Sequence, residues 1–142
     1  MLTGKNYIEK INAMTKEDWR PLLSLIPEIK AAEKFGELIA DKKTKDGTIV
    51  FPFCKDAPVV QKFHQLVYAL PIVISFDWGA WKEGRKIIDG EVFDLDSIDI
   101  PTKCKIITTI VRMDRFTSCA LASEFNSGLI LRILESIKRQ LN

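Results

Sequence analysis

The sequence predicts an all-α fold, a single compact multi-helix bundle over residues 1–142 with at most one minor strand. Three observations predict it. Apolar residues recur at helical spacing through 57–70, 77–89, 101–115 and 129–141. An aspartate followed two positions later by proline, a helix-start signal, stands at Asp56-Ala57-Pro58 and again at Asp99-Ile100-Pro101. The one β-like run, Thr48-Ile49-Val50-Phe51-Pro52-Phe53, is short, is interrupted by proline and has no convincing pairing partner.

Taken in order, Thr3 can cap a first helix running to about Met14. Thr15-Lys16-Glu17-Asp18 reads as a capping box with Asp18 in the place of the usual glutamate, opening a short second helix through Trp19 and Pro21. Pro27 suits the first turn of a third, with Ile29, Ala32, Phe35, Leu38 and Ile39 at helical spacing. The lysine-rich stretch 42–47 reads as a solvated loop. Asp56 caps the next helix, whose apolar arc is Val59, Val60, Phe63, Leu66, Val67 and Leu70, and Pro71 ends or kinks it. A buried Ile72-Val73-Ile74 leads into a helix capped by Asp77. Asp89-Gly90 closes that helix. The acidic loop 91–99 carries Val92, Phe93, Leu95 and Ile98 and is expected to pack onto the body. Asp99 caps the helix from Pro101, and Thr117 or Ser118 caps a short one ending near Gly128. In the last helix, Leu129, Ile130, Ile133, Leu134, Ile137 and Leu141 fall within about 140° of arc.

Composition narrows the function classes. A chain of 142 residues buries a core without disulfides or metals. Its net charge of +2, with the two signs interleaved, gives no footprint for nucleic acid or an acidic membrane surface. No run reaches the roughly 18 apolar residues of a membrane span, and the first ten residues lack the apolar stretch of a secretion signal. A cytoplasmic protein is expected. Cys54, Cys104 and Cys119 are odd in number and far apart, and His64 is the single histidine. No zinc site is expected, and the cysteines read as reduced, mostly buried thiols. Asp94, Asp96 and Asp99 lack the glycine and terminal glutamate of a calcium loop, so no metal is assigned. No nucleotide-binding loop, nucleophile elbow or other cofactor motif is present, and no cofactor is expected.

Two stretches carry the candidate chemistry. Phe76-Asp77-Trp78-Gly79-Ala80-Trp81-Lys82-Glu83-Gly84-Arg85 has the densest mixture of aromatic and charged residues. As one helix, it sets Trp78 beside Arg85 at the edge of an arc holding Ala80, Trp81, Gly84, Ile87 and Ile88. Gly84 would admit another helix closely. Either both tryptophans anchor the core with Arg85 covering the rim, or Trp78, Trp81 and Arg85 line a pocket for something planar or anionic. The second stretch is Arg112-Met113-Asp114-Arg115-Phe116. Continued helix would put Asp114 on an apolar face, where its carboxylate needs a partner. Arg85 or Arg115 is the expected partner, or Asp114 caps the following helix. The ligand-binding reading has Arg85, Arg112 and Arg115 presenting guanidinium forks to a phosphate or carboxylate. His64 reads as a packed residue at the edge of its helix face.

The half from about Pro71 to Leu141 resembles a family of small, uncharacterised prokaryotic proteins grouped as a domain of unknown function. The residues that carry the resemblance are Phe76-Asp77-Trp78, Trp81, Gly84-Arg85, Ile110-Val111-Arg112, Asp114-Arg115-Phe116, Leu121, Phe125, Gly128-Leu129-Ile130 and Ile133-Leu134. Members tend to follow the Asp-Arg-Phe element with an acidic residue and glycine, where this chain has Thr117-Ser118-Cys119. The resemblance implies no activity, ligand or catalytic residue.

The expectation is a small helical binding or interaction module, with Trp78, Trp81, Arg85, Arg112, Asp114 and Arg115 facing one concavity. Its partner would be an anionic small molecule or a protein. The alternative is an enzyme acting on a nucleotide-like or other anionic small molecule through the same residues. The lack of a nucleophile–base pair favours the module. The sequence leaves oligomeric state open.

Overall fold

The computed structural model describes residues 5–39, 42–43, 47, 49–50, 53–91 and 94–142. Helices make up most of it, as the periodicity predicts. The first helix, α1, is Lys5–Asn12, and Thr3, its expected cap, lies outside the described residues. The capping box opens α2 (Lys16–Leu23): Asp18 N–H donates to Thr15 Oγ1 at 3.2 Å, and Thr15 N–H donates to Asp18 Oδ2 at 2.9 Å. Each bond satisfies an amide that the helix cannot. Trp19 and Leu22 of α2 are fully buried.

The third helix is shorter than its spacing predicts. α3 is Leu25–Ala31, and the chain turns extended at Ala32. Gly36–Ile39 then form a strand, β1, antiparallel to β4 (Phe53–Asp56), with Gly36 opposite Asp56 and Ile39 opposite Phe53. Tertiary packing overrides the local pattern here. A Cβ on Gly36 would stand 2.6 Å from the Ala122 Cβ, so this backbone lies against a later helix with no room for a side chain. Inside this pair, β2 (Lys42–Lys43) joins β3 (Ile49–Val50), also antiparallel. Two short pairings thus stand where at most one minor strand is expected. Thr48, Phe51 and Pro52 lie outside the described residues.

Helix α4 (Pro58–Ala69) has Pro58 in its first turn, but Ala57 is the cap. Asp56 closes β4 instead, and its carbonyl accepts from Gln61 Nε2 at 2.8 Å. His64 is half-buried with its ring 4.9 Å from that of Tyr68. A short α5 (Lys82–Ile88) follows, then α6 (Ile100–Met113), α7 (Ala120–Asn126) and α8 (Leu129–Leu141). Asp99 caps α6 as expected, its Oδ1 accepting the Thr102 N–H at 2.9 Å. On α8, Leu129, Ile130, Ile133, Leu134 and Ile137 are buried on one side. In the loop before α6, Leu95 is buried and Ile98 partly so, while Val92 and Phe93 lie outside the described residues.

The centre of the molecule is α6. Every residue from Lys103 to Val111 except Lys105 is buried, and α1, α5, α7 and α8 all pack on it. No helix among the described residues is long and apolar enough to cross a membrane. The cysteines are a correction: Cys54 of β4 is bonded to Cys119, just before α7, with Cα atoms 5.1 Å apart. The two lie 65 residues apart, a separation from which no pairing can be read. Cys104 stays a free thiol, fully buried in α6.

Candidate ligand-binding cleft

The cleft is built on the C-terminal end of α6. After α4 the chain turns through residues 70–73 and passes over α6, and Thr108 holds it there. The Thr108 hydroxyl accepts the Ile74 N–H at 3.2 Å and donates toward the Cys104 carbonyl at 2.8 Å, with the Ile72 carbonyl 3.2 Å away. Ile72 and Ile74 are buried under this clamp, which fixes where Ser75 and Phe76 emerge. Thr108 carries no motif, and its role is legible only in three dimensions.

Beyond Phe76 the structure departs from the single helix expected over 77–89. Trp78–Ala80 form one 3-10 turn, the backbone breaks at Trp81, and α5 begins at Lys82. Asp77 makes no side-chain cap. The break parts the two tryptophans. Trp81 folds back over Gly84, where a Cβ would stand 2.1 Å from its ring, so Gly84 makes room for Trp81 and not for another helix. The Trp81 ring meets Phe76 edge-on at 5.6 Å, and Lys105 Nζ lies 5.6 Å from the Trp81 centroid and 5.3 Å from that of Phe76. A lysine missed in the sequence, not Arg85, is therefore the cation at Trp81. Arg85 is exposed on α5.

Trp78 points the other way and stacks on Phe116, with centroids 6.2 Å apart and planes 29° from parallel. A cavity of about 300 Å³ lies between these rings and α6, lined by Ser75, Phe76, Trp78, Arg112, Arg115 and Phe116, with Ile74 behind. A second cavity of about 400 Å³ adjoins it through Ile74, Ser75 and Arg112 and extends to Tyr68 and Pro71. The Arg112 guanidinium sits 5.6 Å from the Tyr68 ring centroid. Of the six residues singled out in the sequence, the cleft brings together Trp78, Arg112 and Arg115. Trp81 and Arg85 do not line it.

Asp114 takes the second of its two expected roles, holding the start of the following helix, and not the buried Arg–Asp pair. Helix α6 ends at Met113, so the apolar face does not continue to Asp114. Its Oδ1 accepts the Leu121 N–H at 3.0 Å, which holds the first turn of α7. Among the described residues, Asp114, Arg112 and Arg115 enter no ion pair. Phe116 is 79 % exposed at the mouth of the cleft. An apolar ring held in solvent beside two guanidiniums can stack on a planar group while the arginines take its charge.

Residues 14–142 match a family of unknown function, DUF6508. The chain belongs to that family. The match begins at Met14, well before the Pro71 start of the resemblance seen in the sequence, so the DUF6508 region includes the strands and α2 to α4 as well as the cleft. No curated protein and no solved structure matches the chain.

Proposed function

We propose that this DUF6508 member is a non-catalytic binding module, one domain over residues 1–142, whose cleft takes a small anionic molecule with a planar, apolar part. One observation carries the reading: Arg112 and Arg115 share a cavity with the stacked Trp78–Phe116 pair, and neither is matched by a carboxylate among the described residues. Arginines committed to structure pair with carboxylates or lie along the surface. Two aimed into one concavity of ligand size suit a bidentate anion. A prokaryotic, cytoplasmic setting belongs to the same reading and rests on the sequence and its resemblance. Disulfides in that compartment are usually transient, catalytic or redox-sensing, which gives the Cys54–Cys119 bond added interest.

The test is calorimetric titration with phenyl phosphate, benzoate and inorganic phosphate. Phenyl phosphate should bind tightest, because it alone uses both rings and both guanidiniums. Arg112→Gln and Phe116→Ala should each weaken it about tenfold or more, the scale of one charge-assisted bond or one buried ring. Equal affinity for phenyl phosphate and inorganic phosphate, or affinity unchanged in both variants, would refute the cleft as the site.

A further inference from the structure

We infer that the Cys54–Cys119 bond is an exchange site for small apolar thiols, attacked at the Cys119 sulfur. The two sulfurs stand in different surroundings. Cys119 lines a cavity of about 250 Å³ together with Ile88, Ile110, Met113, Ser118 and Glu124, and Cys54 does not. Both cysteines are half-buried, but Cys54 sits on β4 with the backbone of Gly36 close to its sulfur, outside that cavity. A thiol seated in this cavity meets Cys119 and not Cys54. The lining is mainly apolar, and burial pushes the Glu124 carboxyl up against the opposing effect of its Ser127 hydrogen bond. The cavity suits a hydrocarbon substituent better than a charged one.

A second group points to the same direction of attack. Asp56 Oδ1 lies 3.4 Å from the Cys54 Sγ. A disulfide sulfur carries no proton, so in the oxidised protein this contact is not a hydrogen bond donated by Cys54. At a pH low enough to keep its carboxyl protonated, Asp56 stands within reach of the sulfur that leaves. Burial raises the Asp56 carboxyl above the ordinary carboxylate range. The charge of Asp114, at the end of α6, raises it further, and His64 on α4 acts in the opposite sense.

The step balances as follows. A thiolate RS⁻ attacks Cys119 Sγ, forming a Cys119–S–S–R mixed disulfide. The Sγ–Sγ bond breaks, its electron pair goes to Cys54 Sγ, and that sulfur takes a proton from the Asp56 carboxyl where it is protonated and from water where it is ionised. A second RS⁻ takes the R-bound sulfur, releasing RSSR and the Cys119 thiolate. Two thiols are oxidised to one disulfide as the protein disulfide is reduced. A small-molecule disulfide reverses both steps. Asp56 is thus a proton donor in contact with the leaving sulfur, and this site is independent of the Arg112–Phe116 cleft.

The experiment uses the oxidised full chain with benzyl mercaptan or 2-mercaptoethanol, acid quenching, alkylation and peptide mass mapping. The expected adduct is on Cys119, with Cys54 free. Per thiolate, benzyl mercaptan should react about tenfold faster than 2-mercaptoethanol, the effect of burying about half a phenyl ring. An adduct chiefly on Cys54, equal rates for the two thiols, or reaction only in urea would overturn the inference. The Asp56 role has its own readout. The per-thiolate rate should fall as pH rises through the Asp56 titration, stay flat in Asp56→Asn, and still fall in His64→Gln. If Asp56→Asn does not fold, the wild-type profile decides alone, and a flat one removes Asp56 from the step.

Discussion

The two ends of α6 are made of similar residues and do opposite things. At the N-terminal end Lys103 is fully buried, and its ammonium donates to Gln140 Oε1 at 2.6 Å. Gln140 Nε2 donates in turn to the carbonyls of Asp96 and Ile98 at 3.1 and 2.9 Å. The Asp96 carboxylate accepts from Ser136 and Arg139, bonds that hold it below the usual carboxylate range. Lys103, Asp96 and Arg139 all have partners there, and the network ties the loop before α6 to α8. At the C-terminal end, Arg112 and Arg115 face a cavity with no carboxylate among the described residues, beside an exposed phenylalanine. A closed polar network marks structure, and an open one beside aromatic rings marks a site. Composition cannot separate the two, because both ends read as basic residues near aspartate.

That contrast can be broken at either end. The largest effect is expected from Gln140→Leu, which strands the Lys103 ammonium and frees two carbonyls. A loss of about 3 kcal/mol should appear in urea titration, and a loss below about 0.5 kcal/mol would mean that the network is slack. Next comes Gly84→Ala. Its added methyl meets the Trp81 ring, so a loss of about 1–3 kcal/mol is expected, with a change in tryptophan fluorescence as Trp81 leaves Lys105. At the open end, Arg115→Gln should change stability by no more than about 0.5 kcal/mol while weakening phenyl phosphate. A large stability loss there would show that the arginine is structural after all.

Another small effect should come from Asp56→Asn. The raised Asp56 titration means that its contribution to stability is fully present below the unfolded value of 3.8 and is lost as pH rises through the folded value. Because the group is only partly buried, removing its charge should gain less than about 1 kcal/mol at pH 7 and nothing below pH ~4. Denaturation at the two pH values checks this, and a gain of the same size at both would assign the effect to something other than the charge.

What was legible in the sequence is what neighbours in the chain decide. The Thr15–Asp18 box, the Asp99 cap and the apolar arc of α8 need only residues within a few turns of one another. Three features escaped for one physical reason, the dominance of distant contacts. Phe35, Leu38 and Ile39 keep helical spacing, yet Gly36 is drawn against Ala122 and the segment pairs with β4. Trp78 and Trp81 are three residues apart, yet one stacks on Phe116 and the other lies under Lys105. Asp114 was projected onto an apolar face that ends one residue earlier. Within the cleft, the arginines and Trp78 were visible as residue types, whereas Tyr68 and Ser75, like the clamp residue Thr108 outside it, had no signal in the sequence.

The bond from Cys54 to Cys119 encloses all of the residues that line the cleft, from Tyr68 to Phe116, in one covalent ring. The part of the chain that holds the candidate cleft is in effect a macrocycle with two tails, one carrying α1 to α3 and the other α7 and α8. In the chain-entropy treatment, a ring of this size restricts the unfolded ensemble by about 4 kcal/mol. A single protease cut between α5 and α6 would open the ring without releasing a fragment. Nicked protein would migrate as one band on a non-reducing gel and as two after reduction, its halves still docked through α6.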